Sequence, residues 1–91
     1  MGIDVHVFAV QDADPVQNRY SAADTDRFIE FYYARSEWGF VEFAPNNIAV
    51  PMTEELVYRI TEAHLFSYED ALLSFLFMQM RGVTVFLQCD W

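Results

Sequence analysis

The sequence predicts an α+β domain: a four-stranded, mostly antiparallel sheet with helices on one of its faces. Three observations carry that expectation. The ends of the chain, residues 3–10 (IDVHVFAV) and 83–91 (VTVFLQCDW), are rich in β-branched and aromatic residues that alternate between two faces. Between them lie two segments with helix-start signals, Thr53 ahead of EELVYRITEAH and Ser67 ahead of YEDALLSFLFMQMR. No repeat, low-complexity tract or linker divides the 91 residues, so residues 1–91 read as one domain.

The elements follow in order. In residues 3–10, Ile3, Val5, Val7 and Ala9 share one face, and Asp4, His6, Phe8 and Val10 share the other. The polar stretch after them, broken by Pro15, reads as a loop. A helix is expected to start at Asp24 or Thr25, both suitable N-caps, and to stop at Gly39. Phe28, Phe31, Tyr32 and Arg35 fall at helical spacing within it. Residues 40–44 and 48–52 read as strands joined by a Pro45-Asn46-Asn47 turn, where asparagine tolerates a left-handed backbone. Pro51 cannot donate to a ladder, which puts the second of these strands at an edge or ends it there. Thr53 caps a helix over 54–64. Ser67, with Asp70 three residues on, caps another over 68–81 that stops at Gly82. In the closing strand Val83, Val85, Leu87, Cys89 and Trp91 share a face. The expected order is β-α-β-β-α-α-β. A ferredoxin-like split-βαβ topology fits it, with the second helix broken in two and the first and last strands as central neighbours.

Composition then narrows the function. Hydrophobic residues make up 54% of the chain and aromatic residues 18%, which excludes intrinsic disorder. Fourteen acids stand against five bases, for a formal net charge of -9, and every base is arginine. Such a chain offers no positive surface for a phosphate backbone or an anionic bilayer, so neither nucleic acid nor membrane is expected as a direct partner. The apolar stretch 71–80 is too short to span a bilayer. With Asp4 near the start and a single cysteine, Cys89, the expected location is the reducing cytoplasm.

Six acids have a local role. Asp24 with Asp26, Glu54 with Glu55, and Glu69 with Asp70 fall in or just before the first turn of an expected helix, where carboxylates complement the helix dipole. The other eight are Asp4, Asp12, Asp14, Glu30, Glu37, Glu42, Glu62 and Asp90, and the arginines are too few to pair most of them. Two readings of this surplus stand side by side: a solubility device for an apolar chain, or an acidic surface that meets a basic partner.

No catalytic or cofactor signature rises above this background. Asp12-Ala13-Asp14 has the D-x-D form of a metal motif but lacks the further oxygen ligands and glycine turn of a calcium loop. The serines sit in no nucleophile elbow, and Cys89 lies on an apolar strand face. No phosphate loop or zinc spacing is present. The chain is therefore read as a non-enzyme without a cofactor. If the end strands are neighbours, Asp4, His6 and Asp90 could meet as a carboxylate–imidazole group, or simply form a polar strand face.

The aromatic residues point to interfaces. Tyr32 and Tyr33 are adjacent and cannot both face inward from a helix. The segment 68–81 is apolar almost all round, with Ala71, Leu72, Phe75 and Leu76 in one stripe and Leu73, Phe77, Met78 and Met80 outside it. A neighbouring helix, a second subunit or a partner is expected to cover the excess.

In composition alone, the chain is similar to barstar-like nuclease inhibitors and phage-encoded anti-CRISPR proteins, which are small, acidic, cysteine-poor intracellular modules. The function expected is accordingly a protein-binding inhibitor of immunity or anti-CRISPR type. It would block a basic protein or nucleoprotein complex by setting carboxylates where phosphates would sit. Asp12, Asp14, Tyr20, Asp24, Asp26, Glu30 and Tyr33 are the residues expected to meet that partner. The alternative is an obligate homodimeric accessory module joined through the all-round apolar helix, at Phe77 and Met80, and the strand that contains Pro51. A small ligand-binding regulatory domain is a third reading.

Overall fold

The computed structural model describes residues 2–12 and 28–91. Four strands form one antiparallel sheet: β1 (Asp4–Gln11), β2 (Phe28–Arg35), β3 (Val50–Pro51) and β4 (Val83–Asp90). Their spatial order is β2-β1-β4-β3, so the first and last strands are the central pair, as their alternation predicts. Among the described residues, two α-helices, α1 (Glu54–Glu62) and α2 (Tyr68–Met78), join the sheet in an α+β domain. No helix among the described residues is long and apolar enough to cross a membrane.

The sheet has two unlike faces. Ile3, Val5, Val7 and Ala9 from β1 and its approach join Val85, Leu87 and Cys89 of β4 on one face, where Val57 and Ile60 of α1 and Phe75 and Met78 of α2 pack over them. The opposite face carries a second buried group, Phe8, Val10, Phe86 and Ala49, against which Phe28 packs. Toward the other end of that face the side chains turn polar.

The expected helix before Gly39 is corrected by the structure: residues 28–35 are strand β2, paired with β1 from Val10↔Phe28 to Asp4↔Arg35. A bulge explains the misleading spacing. The register slips between Val7 and Phe8, whose partners are Tyr32 and Glu30, so Phe31 is the extra residue. Phe31 and Tyr32 consequently both pack toward the helix side. That doubling turns a two-residue period into one that imitates a helix. Aromatic residues also lose rotamer freedom in helices and fit a pleated surface well, which favours the strand.

The expected strand over 40–44 is likewise a 3-10 helix, Trp38–Glu42, that drives Phe40 into the core. Its start is closely packed, for a Cβ on Gly39 would lie 3.0 Å from Leu65 Cδ2. The expected strand over 48–52 contracts to the two residues of β3. Pro51 ends it at the sheet edge, as a residue without an N–H must. Among the described residues the order is thus β-β-β-α-α-β with a 3-10 turn, which is compatible with the split-βαβ topology without confirming it.

Local signals elsewhere translate directly into structure. Asn47 takes the left-handed conformation (φ 63°), and Asn46 ties its turn to the C-terminus, donating to the Trp91 carbonyl at 3.1 Å and accepting from the Trp91 N–H at 3.0 Å. The Thr53 hydroxyl accepts from Leu56 N–H. Ser67 and Asp70 form a complete capping box, the Asp70 N–H donating to Ser67 Oγ and the Ser67 N–H to the Asp70 carboxylate. The helix expected over 68–81 is shorter: it ends at Met78 with Gln79 as its C-cap, and Gly82, at φ 77°, instead turns the chain into β4 four residues beyond Met78. Replacing Ser67 by alanine is expected to cost about 1 kcal/mol, read as a lower urea midpoint with an unchanged slope.

Candidate functional site: an acidic, aromatic sheet face

Strand alternation builds the site. Even-numbered residues of β1 point away from the helices, and the antiparallel ladders place Tyr33 and Gln88 beside His6, Glu30 beside Phe8, and Asp90 beside Asp4. Three of the eight surplus acids, Asp4, Glu30 and Asp90, therefore converge from three different strands.

His6 stands between two of them. Its Nδ1 meets Glu30 Oε1, and its Nε2 lies 3.7 Å from Asp90 Oδ2. The contact with Glu30 is a hydrogen bond, whereas 3.7 Å is an ion-pair separation, so the ring on β1 sits between a carboxylate of β2 and one of β4. Gln88 Nε2 donates to Asp90 Oδ1 at 3.1 Å and steadies that carboxylate. The Tyr33 hydroxyl donates to Asp4 Oδ1 at 2.8 Å, and its ring tilts against His6 with centroids 5.2 Å apart. That hydrogen bond to Asp4 is the main reason the Tyr33 phenol is held above its ordinary pKa.

These side chains are partly exposed, at 30% for His6, 42% for Glu30 and 34% for Asp90. Ion pairs so placed add at most about 1 kcal/mol to folding, so stability alone does not account for the cluster. An open cavity of about 290 Å³ lies among His6, Glu30, Gln88 and Asp90, with Phe8 and Phe28 below. The two rings stack with centroids 4.4 Å apart and give it an aromatic floor. Its volume is at the low end for ligand pockets, which suits one side chain rather than a nucleotide-sized cofactor.

The expected partner residues fare differently. Glu30 and Tyr33 lie in this site, although on a strand rather than a helix. Asp12 stands at the end of β1, with its N–H donating to the Gly82 carbonyl. Asp14, Tyr20, Asp24 and Asp26 lie outside the described residues. Of Asp4, His6 and Asp90, His6 and Asp90 approach each other, whereas Asp4 bonds to Tyr33 on the same face. Of the expected self-association residues, Met80 is exposed, and Phe77 stacks on Phe31 with centroids 4.8 Å apart.

Other reactive groups are placed for packing. Cys89 is fully buried, and burial, with a lesser contribution from Asp90, pushes its thiol up to about 11. Burial likewise pushes Tyr32 up to about 12, with Asp70 and then Glu37 adding to it. Among the described residues, no group of three or more His, Cys, Asp or Glu side chains is arranged to hold a metal ion. Compared with protein-family models, with curated proteins and with solved structures, the chain finds no match in any of the three.

Proposed function

We propose that the chain is a small acidic inhibitor of immunity-protein or anti-CRISPR type, acting in the cytoplasm without catalysis of its own. It docks its open sheet face on a basic protein or nucleoprotein complex that handles nucleic acid. The observation that carries this reading is the convergence of Asp4, Glu30 and Asp90 around His6 and Tyr33 on the face left free by the helices. Carboxylates on three adjacent strands make a rigid negative patch that can take the place of backbone phosphates. The low-dielectric sheet behind them strengthens their field. An arginine or lysine side chain entering the cavity would meet Glu30 and Asp90 at its rim and the Phe28 ring at its floor, combining ion pairing with a cation–π contact. Tyr33, 52% exposed beside the rim, supplies an aromatic anchor of the type that dominates interface energetics.

Affinity capture on the immobilised protein at low salt, followed by mass spectrometry, names the partner. The captured protein is then assayed on its nucleic acid. The expected result is stoichiometric loss of that protein's nucleic-acid binding as the inhibitor is added, weakened as salt is raised. Unchanged nucleic-acid binding at saturating inhibitor would overturn the reading.

A further inference from the structure

We infer that the outer face of α2 is a self-association surface on which two copies pair antiparallel about a two-fold axis, leaving their acidic sheet faces pointing outward. The helix buries Ser74, half-buries Ala71, Phe75 and Met78 against the core, and turns Leu72, Leu73 and Leu76 to the outside, where Met80, two residues past its end, is exposed as well. Those four side chains are between 40% and 53% exposed, although one helix stripe already satisfies the core. A contiguous exposed patch of four large apolar side chains marks an interaction surface on a domain this small.

The charges flanking the patch specify what covers it. Glu69 lies at its N-terminal end and Arg81 just past its C-terminal end, and both are exposed. An antiparallel pairing with its two-fold midway between Leu73 and Leu76 sets Leu73 against Leu76 of the second copy. The same operation brings Glu69 beside Met80 and Arg81 of the second copy, twice per dimer, so opposite charges meet at both rims. A parallel pairing would put like charges together instead. The surface is self-complementary in both apolar pattern and charge. The helix contact is smaller than the roughly 800 Å² per partner of a standard interface, so the dimer should dissociate in the micromolar range. Because α2 and the acidic face lie on opposite sides of the sheet, the dimer is bivalent toward its partner.

Sedimentation equilibrium of the full chain at physiological ionic strength, over micromolar to near-millimolar concentrations, tests the pairing. The expected mass rises from the 10.7 kDa monomer to twice that value. Leu76→Glu, at a half-exposed position, should keep its circular dichroism spectrum and weaken association by more than about tenfold. Glu69→Arg and Arg81→Glu should each weaken self-association through two like-charge contacts per dimer. An equimolar mixture of these two variants should recover it as a heterodimer, because each then supplies the charge the other needs. A chain monomeric throughout the range overturns the inference, as does a folded Leu76→Glu protein that dimerises like the parent. Failure of the mixture to associate more tightly than either variant overturns the antiparallel pairing. None of these outcomes depends on the acidic face having a partner.

Discussion

Replacing Phe40 by alanine is expected to remove about 4 kcal/mol of stability, the scale of a large aromatic deleted from a core that cannot collapse around the gap. Phe40 is fully buried where the 3-10 turn enters the sheet–helix core. Its ring meets Phe66 edge-on at 5.9 Å and Tyr32 at 5.9 Å, and Phe66 in turn meets Tyr32 at 5.1 Å. Truncation therefore breaks two sides of an aromatic triangle and leaves the third without support. A domain of 91 residues has on the order of 5–14 kcal/mol to lose, so the variant should lie near the edge of folding. The melting temperature should fall by about 20 °C. Val41→Ala is the comparison, because Val41 is the next residue of the same turn but is exposed. It should cost less than about 1 kcal/mol. Equal effects at the two positions would mean that the turn does not anchor on Phe40.

The contrast between Phe40 and Phe31 shows where sequence reasoning succeeds and where it stops. Signals that act within a few residues read correctly: the Ser67–Asp70 box, the Thr53 cap, the left-handed Asn47 and the ladder end at Pro51. Each is a local hydrogen-bond or dihedral requirement, met whatever lies around it. The two central strands were legible because each is rich in β-branched and aromatic residues and carries an unbroken apolar row on the face that meets the helices. Strand β2 was not, because the bulge at Phe31 is set by its pairing with β1, and pairing is non-local information. The same distinction runs through the site. Asp4, His6 and Asp90 follow from alternation once β1 and β4 are neighbours. Glu30 was expected among the acids of a first helix, and only the register with Phe8 brings it to His6. The outward leucines of α2 were visible as an excess of apolar residues all round the helix, but which arc faces out needed the packing against β4.

Neutralising the acidic face, with Asp4→Asn, Glu30→Gln and Asp90→Asn together, is expected to weaken binding to the captured basic partner by about a hundredfold. Each carboxylate is partly exposed before docking and loses only part of its hydration when a basic group arrives. About 1 kcal/mol per charge is the corresponding scale, and three of them approach the 2.8 kcal/mol of two decades in affinity. The loss should divide between the two rate constants by position. Asp4, bonded to Tyr33 outside the cavity lining, acts through long-range attraction, and its loss lowers the association rate. Glu30 and Asp90, which flank the cavity, contact an inserted side chain and raise the dissociation rate. Association of the parent should slow as salt is raised, because screening confines its field to about 8 Å at physiological ionic strength, and the triple variant should show a shallower dependence. Its fold should persist, since surface pairs of this kind add little to stability. A second triple variant, Glu54→Gln, Glu55→Gln and Glu62→Gln, removes the same number of charges from α1 on the other side of the sheet. If the site is the sheet face, this variant binds within about threefold of the parent, apart from the general reduction in net charge. If both variants lose affinity equally, only the total charge matters and no face is special. If the α1 variant alone loses affinity, the partner docks on the helices, and the carboxylates around His6 serve solubility.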